Sequence, residues 1–238
     1  MKMTERVIRL REQSLNATET ITAERAQLIT RFYASRDAQG LSAPMLRARA
    51  FEYLLSNKAI CINDGELIVG ERGPAPKATP TYPEISLHSI QDLEILDSRE
   101  KVFFRVSEEV KKIYTEEIIP FWKGRSNRDR IMERMTPEWL AAYKAGIFTE
   151  FQEQRAPGHT VLGYKMFHTG FLDLKKEIAS AVVALDFRND PQAYERNEEL
   201  RAMAIACDAI IMYAGRHAEK LDAIAAEEKD PARKDELT

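Results

Sequence analysis

The sequence predicts a mainly α-helical protein with a single β-hairpin. Over most of the chain, apolar residues recur every three or four positions, which is the period of an α-helix. Serine, threonine or aspartate stands directly before several of these stretches, as expected for helix caps. One short stretch, on either side of Asp64-Gly65, alternates instead with the period of a strand. Strands outside that hairpin are therefore expected to be few and short.

Two helices are predicted in the first quarter of the chain. Thr22 is placed to cap the first helix and Ser42 to cap the second. Pro44 is compatible with the second helix because it falls in the first turn, where a backbone N–H has no partner within the helix. The apolar faces consist of Ala26, Ile29, Phe32 and Tyr33 in the first helix, and of Leu46, Ala50, Tyr53 and Leu54 in the second.

The predicted hairpin is followed by a proline-rich loop. The arms of the hairpin are residues 60–63 and 67–70, because aliphatic residues alternate there and Asp-Gly is a strong signal for a tight turn. Residues 72–86 contain four prolines and one glycine, a composition typical of an ordered loop. Tyr82 and Ile85 give this loop apolar side chains to bury, so we expect it to pack on the body of the protein rather than to link two domains.

Helical patterns resume after the loop. Ser107 predicts a helix start and Pro120 its end, and Thr136-Pro137 predicts the next start. Residues 191–228 are expected to form one long helix whose alanine-rich seam packs on a neighbouring helix rather than in a coiled-coil dimer. The seam consists of Leu200, Ala204, Cys207, Ile211, Ala214, Ala218, Leu221 and Ala225. Asp230-Pro231 begins another helix that stops within about two turns, which indicates a truncated element.

Composition excludes several classes of function. Of the 238 residues, 44% are hydrophobic and 31% charged, and the net charge of −3 argues against nucleic acid or an anionic membrane surface as a partner. No apolar run approaches membrane-spanning length, and the charged N-terminus does not resemble a signal peptide. With only two cysteines and no CxxC or HxxxH spacing, the sequence predicts a reducing cytoplasm and no metal site.

His159 is the side chain that the local sequence best presents for chemistry. It follows Pro157-Gly158, a pair that restricts the backbone on one side and frees it on the other. A histidine on such a turn can face a cavity and bind a substrate hydroxyl or move a proton; the alternative is a structural histidine bonded to a nearby carbonyl. Cys61 and Cys207 are interpreted as small buried hydrophobes, since neither has an activating neighbour in the sequence.

Five segments in order resemble one family, the pyruvate formate-lyase-like glycyl radical enzymes. They are Ile62–Glu71 (INDGELIVGE), Thr81–Glu84 (TYPE), Met135–Leu140 (MTPEWL), Phe148–Phe151 (FTEF) and, most specifically, Glu153–Thr160 (EQRAPGHT). The resemblance covers the chain from about Arg6 to its end. Within the family, the segments are most similar to dehydratases, and the substrate that this resemblance implies is trans-4-hydroxy-L-proline.

The resemblance implies a ten-stranded α/β barrel wrapped in helices. It also implies a catalytic cysteine in a Gly-Cys-Val-Glu-type motif and a radical-bearing glycine in an Arg-Val-x-Gly-Tyr-type motif. An activating enzyme with S-adenosylmethionine and an iron–sulfur cluster would install that radical. Neither motif occurs in the chain. Residues 1–238 are therefore expected to be the N-terminal portion of the enzyme, inactive alone and without a cofactor, with barrel core and C-terminal glycine radical domain absent.

The resemblance transfers two site residues and leaves two alternatives. His159 matches a histidine that contacts substrate, and Phe151 is a weaker candidate for the pocket wall. The expected partners are a small-molecule substrate, the activating enzyme and a second copy in a homodimer. The alternatives are another glycyl radical lyase (a diol dehydratase or a formate acetyltransferase-like enzyme) and a non-catalytic helical module that binds a partner protein.

Overall fold

A computed structural model describes residues 4–147 and 163–238. The described chain is mostly helical, which confirms the predicted class. Its helices are α1 (Glu5–Asn16), α2 (Glu24–Ala34), α3 (Ala43–Asn57), α4 (Ile90–Ser98), α5 (Glu108–Ile113), α6 (Ile119–Trp122), α7 (Asn127–Arg134), α8 (Pro137–Lys144), α9 (Phe171–Val183), α10 (Ala193–Glu227) and α11 (Pro231–Leu237). A π-helix spans Tyr114–Ile118, and 3₁₀ turns span Arg36–Ala38 and Gly163–Phe167. No helix of the described ranges is long and apolar enough to cross a membrane.

The predicted hairpin at residues 60–70 is wrong. Asp64 and Gly65 do form a turn, with Gly65 at φ +80°, but neither flank is a strand. The reason is local competition for hydrogen bonds. The Glu66 carboxylate accepts the backbone N–H of Asn63 at 2.9 Å, and the Asn63 side-chain amide donates to both Glu66 and Glu71. Glu66 therefore occupies the backbone N–H of Asn63, which a hairpin ladder would use.

The sheet of the described residues lies elsewhere and is parallel. Strand β1 (Thr20–Thr22) pairs with β2 (Ala78–Pro80) in the register Thr20↔Ala78 to Thr22↔Pro80. Arg105 extends the pairing on the other side of β1, since Ile21 donates to its carbonyl oxygen at 2.9 Å. Three distant segments therefore meet at β1. Such short strands carry little periodic signal in the sequence.

The main core lies between α2, α3 and the helical run from α5 to α6. Its buried side chains include Phe32, Leu93, Tyr114, Ile118 and Trp122. The rings of Phe32 and Tyr53 lie 5.6 Å apart, and those of Tyr33 and Trp122 lie 5.4 Å apart. Aromatic pairs at these separations stabilise a core beyond the area that they bury. The faces predicted for the first two helices are thus the ones that pack together.

Pro120 does not end its helix, contrary to the prediction. The helix that Ser107 caps, with its hydroxyl accepting the N–H of Val110, continues through the π-helix into α6 and ends at Trp122. The N–H of Ile119 donates to the carbonyl oxygen of Tyr114, five residues back. This wider turn accommodates a proline ring that would clash with the carbonyl group four residues back in a regular α-helix.

The predicted long helix, α10, is confirmed and packs against α3 and α9. The predicted seam is only partly correct. Cys207 and Ala225 are buried, whereas Ala214 and Ala218 are exposed. Ala202 and Ala209, two positions away from the nearest seam residues, are also buried, and Ala202 packs against Met45 and Ala48 of α3.

Cations of α10 also bind the end of α3. The Arg216 guanidinium donates to the carbonyl oxygens of Leu55 and Lys58, and the ammonium of Lys220 donates to that of Ile60. The carbonyl group of Leu55 is one that the last turn of α3 leaves unpaired, while Lys58 and Ile60 follow the end of the helix; positive charges there also complement the helix dipole.

Candidate functional site

The two predicted site residues, Phe151 and His159, lie outside the described residues. The structure instead describes the elements on either side of them in the chain. The hydroxyl of Thr136 caps α8 by accepting the N–H of Trp139 at 3.4 Å, as the sequence predicts. After residue 162, the 3₁₀ turn presents an aromatic group in which the rings of Tyr164 and His168 lie 4.7 Å apart. Tyr164 is 77% exposed, so this aromatic surface is open in the described chain.

The most highly organised polar site of the described chain holds the proline-rich loop against the core. Arg25 of α2 forms a bidentate pair with Glu84, with nitrogen–oxygen distances of 2.5 and 3.2 Å. The same guanidinium donates to the carbonyl oxygen of Thr81 at 3.1 Å and lies 3.8 Å from the ring centre of Tyr82. Charge-assisted, two-point bonds of this kind fix both partners in one orientation. They support the prediction that the loop packs on the body.

Beneath this pair, two hydrogen bonds between side chains are buried away from water. The Tyr114 hydroxyl donates to Oγ1 of Thr81 at 2.6 Å, and the Trp122 indole N–H donates to Oγ1 of Thr30 at 2.8 Å. Burial is the first cause that raises the pKa of Tyr114, to about 12. A neutral phenol with a fixed hydrogen bond is a structural group, and it holds β2 and its loop on the core.

The loop in turn positions the two helices that precede the candidate segment. The backbone N–H of Asn127 donates to the carbonyl oxygen of Glu84 at 2.9 Å, and that of Arg128 to Ile85 at 3.0 Å. The side chain of Arg128 donates to the hydroxyl of Tyr143, near the end of α8, at 3.1 Å. This network was not predicted from the sequence. The Thr81–Glu84 motif was the available signal, because an acid beside an aromatic in a proline loop suits an arginine partner.

Neither cysteine of the chain lies in the Gly-Cys-Val-Glu-type motif that the resemblance implies for the radical cysteine. Burial raises the pKa of the Cys61 thiol, and nearby Glu71 and Glu66 raise it further. Burial also raises the pKa of Cys207, which lies within α10. Both thiols are therefore held in the protonated form; Cys207 is buried and Cys61 is half-buried. The described ranges contain no group of three or more histidine, cysteine or carboxylate side chains suited to a metal ion.

Comparison with known proteins decides the family. The sequence profile described as "Pyruvate formate lyase-like" matches residues 3–238. The chain belongs to the pyruvate formate lyase-like family. It is 53% identical, over 98% of its length, to trans-4-hydroxy-L-proline dehydratase of Clostridioides difficile, of which it covers 29%.

Solved structures agree with this membership. The crystal structure of hydroxyproline dehydratase from Clostridioides difficile, with trans-4-hydroxy-L-proline bound, matches 99% of the chain with a TM-score of 0.92 and 52% identity, over 30% of that protein. The glycerol-bound B12-independent glycerol dehydratase from Clostridium butyricum matches 100% of the chain with a TM-score of 0.89 and 30% identity, again over 30% of that protein. The chain thus spans under a third of the length of these relatives and corresponds to their N-terminal part.

Proposed function

We propose that the full-length protein is a glycyl radical dehydratase, a C–O lyase that removes water from trans-4-hydroxy-L-proline to give a pyrroline carboxylate. The observation that carries this proposal is the difference in identity between relatives of nearly equal structural similarity. The chain is 53% identical to the hydroxyproline enzyme but 30% identical to the glycerol enzyme, although both TM-scores are about 0.9. Because the fold is shared, the extra identity points to a shared substrate.

In this proposal, residues 1–238 are the N-terminal portion of the catalytic domain. The barrel core, the cysteine motif and the C-terminal glycine radical domain belong to the remainder of the protein. An activating enzyme with S-adenosylmethionine and an iron–sulfur cluster would install the glycine radical. Through a thiyl radical on the cysteine of the missing motif, it would supply the hydrogen abstraction beside the substrate hydroxyl that precedes loss of water. Since the chain contains neither the cysteine motif nor the glycine motif, it should by itself show neither dehydration nor a glycyl radical.

The contribution of this chain to the pocket is His159, with Phe151 on the pocket wall. His159 lies in the segment Glu153–Thr160, the most specific part of the family resemblance. Its imidazole would bond the departing hydroxyl or a neighbouring polar group and assist proton transfer, for which a histidine near neutral pH is suited. Phe151 would exclude water from the reacting carbon atoms.

The test uses the activated full-length enzyme. His159→Ala should lower turnover of trans-4-hydroxy-L-proline by about 100-fold or more, because general acid–base catalysis commonly contributes that much. The glycyl radical signal in electron paramagnetic resonance should be unchanged. His217→Ala is the matched control, since His217 lies in α10 and its Nδ1 is 2.9 Å from the carbonyl oxygen of Tyr213.

Two results would contradict the proposal. Equal turnover in the wild type and in His159→Ala would remove His159 from the chemistry. A fully activated wild-type enzyme that turns over glycerol or another diol but not hydroxyproline would favour the alternative lyase. We also infer a homodimer in the cytoplasm; light scattering on the purified full-length protein tests the homodimer.

A further inference from the structure

A groove between α1 and residues 63–77 leaves aliphatic side chains uncovered. None of the side chains of α1 is buried, although the helix carries Val7 and Leu10 on the side that lines the groove. On the opposite wall, Leu67 is 62% exposed and Ile68 is 87% exposed. The groove has a volume of about 770 Å³. Adjacent aliphatic residues that face an open groove of this size indicate a binding surface.

The backbone along one wall of this groove is unpaired as well. Residues 67–70 alternate in the manner of a strand, yet in the described ranges none of their N–H or C=O groups bonds to another backbone group. A strand sequence without a ladder is an edge that can accept another strand. This also accounts for the incorrect hairpin prediction. Residues 67–70 have the pattern of a strand, but no strand that pairs with them is among the described residues.

The described chain ends beside this edge. Arg233 of α11 donates to the carbonyl oxygen of Glu66 at 3.1 Å, and Glu236 pairs with Arg6 of α1 at 2.6 and 2.8 Å. Leu237 is only 5% exposed, so the last turn of α11 is seated on the body. Any polypeptide that continues past Thr238 therefore starts within a few residues of the groove. The curated relatives do continue, since the chain covers only their N-terminal 30% or so.

We propose that, in the full-length protein, the polypeptide that follows Thr238 lies in this groove and pairs as a β-strand with residues 67–70. Its aliphatic residues would cover Val7, Leu67 and Ile68. A lysine or arginine in the segment would complement Glu66 and Glu71, whose carboxylates in the described ranges bond to amide groups of Asn63 and Lys77 rather than to cations. This inference rests on the family and on the position of α11, and it is independent of the proposed substrate.

Hydrogen–deuterium exchange on the full-length protein and on the chain that ends at Thr238 provides the test. The alternate amides of residues 67–70 that face the added strand should exchange about 100-fold more slowly in the full-length protein, because ladder hydrogen bonds open only with local unfolding. Amides in the middle of α10, helical in both forms, serve as the internal reference. Equal exchange at residues 67–70 in both proteins would overturn the proposal. So would protection that appears only at high protein concentration, because a second copy would then be the occupant.

Substitution of Ile68 provides a second, independent measurement. Ile68→Asp should lower the melting temperature of the full-length protein by several degrees and leave the chain ending at Thr238 unchanged, because Ile68 is 87% exposed there. Ile68→Val keeps a branched aliphatic side chain and should behave as the wild type in both proteins. An unchanged melting temperature for Ile68→Asp in the full-length protein would refute the proposed strand. Neither measurement depends on activity, so the failure of the proposed function would leave both results interpretable.

Discussion

The hydrogen bond between Tyr114 and Thr81 offers a quantitative test of how the proline-rich loop is held. Tyr114 is 0% exposed and Thr81 is 4% exposed, and their hydroxyl oxygens are 2.6 Å apart. Tyr114→Phe removes the donor and leaves Oγ1 of Thr81 without it. A buried polar group that loses its partner costs about 1–3 kcal/mol. We expect Tyr114→Phe to lower the free energy of unfolding by about 1–2 kcal/mol.

The reciprocal substitution isolates the bond itself. Thr81→Val preserves the shape of the side chain but leaves the phenol hydroxyl buried without an acceptor, so it should cost about 1–3 kcal/mol. When both groups are removed together, no polar atom of the pair remains unpaired. The double variant should therefore be less destabilised than the sum of the single variants, with a coupling energy of about 1–2 kcal/mol.

Urea denaturation of the four proteins, followed by tryptophan fluorescence, measures this cycle. Tyr164→Phe serves as the control for loss of a phenol hydroxyl. Because Tyr164 is 77% exposed, this substitution should change the free energy of unfolding by less than about 0.5 kcal/mol. Single-variant effects that add to within about 0.3 kcal/mol would show that the two hydroxyl groups do not act together. That result would refute the argument that this bond fixes the loop.

Three further predictions follow from the same core and loop. Burial raises the pKa of Tyr114 to about 12 from 10.0, so this phenol ionises at lower pH in the unfolded chain than in the folded one. Its contribution to the free energy of unfolding should be fully present below about pH 10 and should be lost, by about 2–3 kcal/mol, as the pH rises through 12. Tyr114→Phe should remove that part of the pH dependence of unfolding. Gly73→Ala should unfold at distinctly lower urea concentration, since its Cβ would lie 2.2 Å from a backbone carbonyl oxygen, whereas Gly70→Ala meets nothing within 4 Å and should match the wild type. Arg25→Lys should cost about 1.5–3 kcal/mol in the same assay, because one ammonium cannot make the two-point bond to Glu84; equal stability would mean that the pair contributes only its charge.

The helical part of the fold was predictable because its signals are local. Caps at Ser107, Thr136 and Asp230 stand at the observed helix starts, and the faces expected for α2 and α3 form the core. A cap and a periodic face depend on residues within a few turns, so the sequence carries them in one stretch. The family motifs are local in the same sense, and they pointed to the family that the comparisons establish.

The errors occurred where nearby hydrogen bonds override the pattern that the sequence presents. The pattern around Asp64 is that of a strand, yet without a partner segment the side chains of Glu66 and Glu71 take the amide of Asn63 instead. Pro120 reads as a stop, yet the wider turn that begins at Tyr114 carries the helix past it.

The assembly of the loop, in contrast, was decided by the tertiary structure alone. Arg25, Thr81, Glu84 and Tyr114 come from three separate parts of the chain, and their network forms only once α2 and the run from α5 to α6 have packed together. Residue types and local periods therefore determined the helices and the family of this protein. The strand pairing and the buried polar network depended on contacts between residues far apart in sequence, whose partners no local pattern identifies.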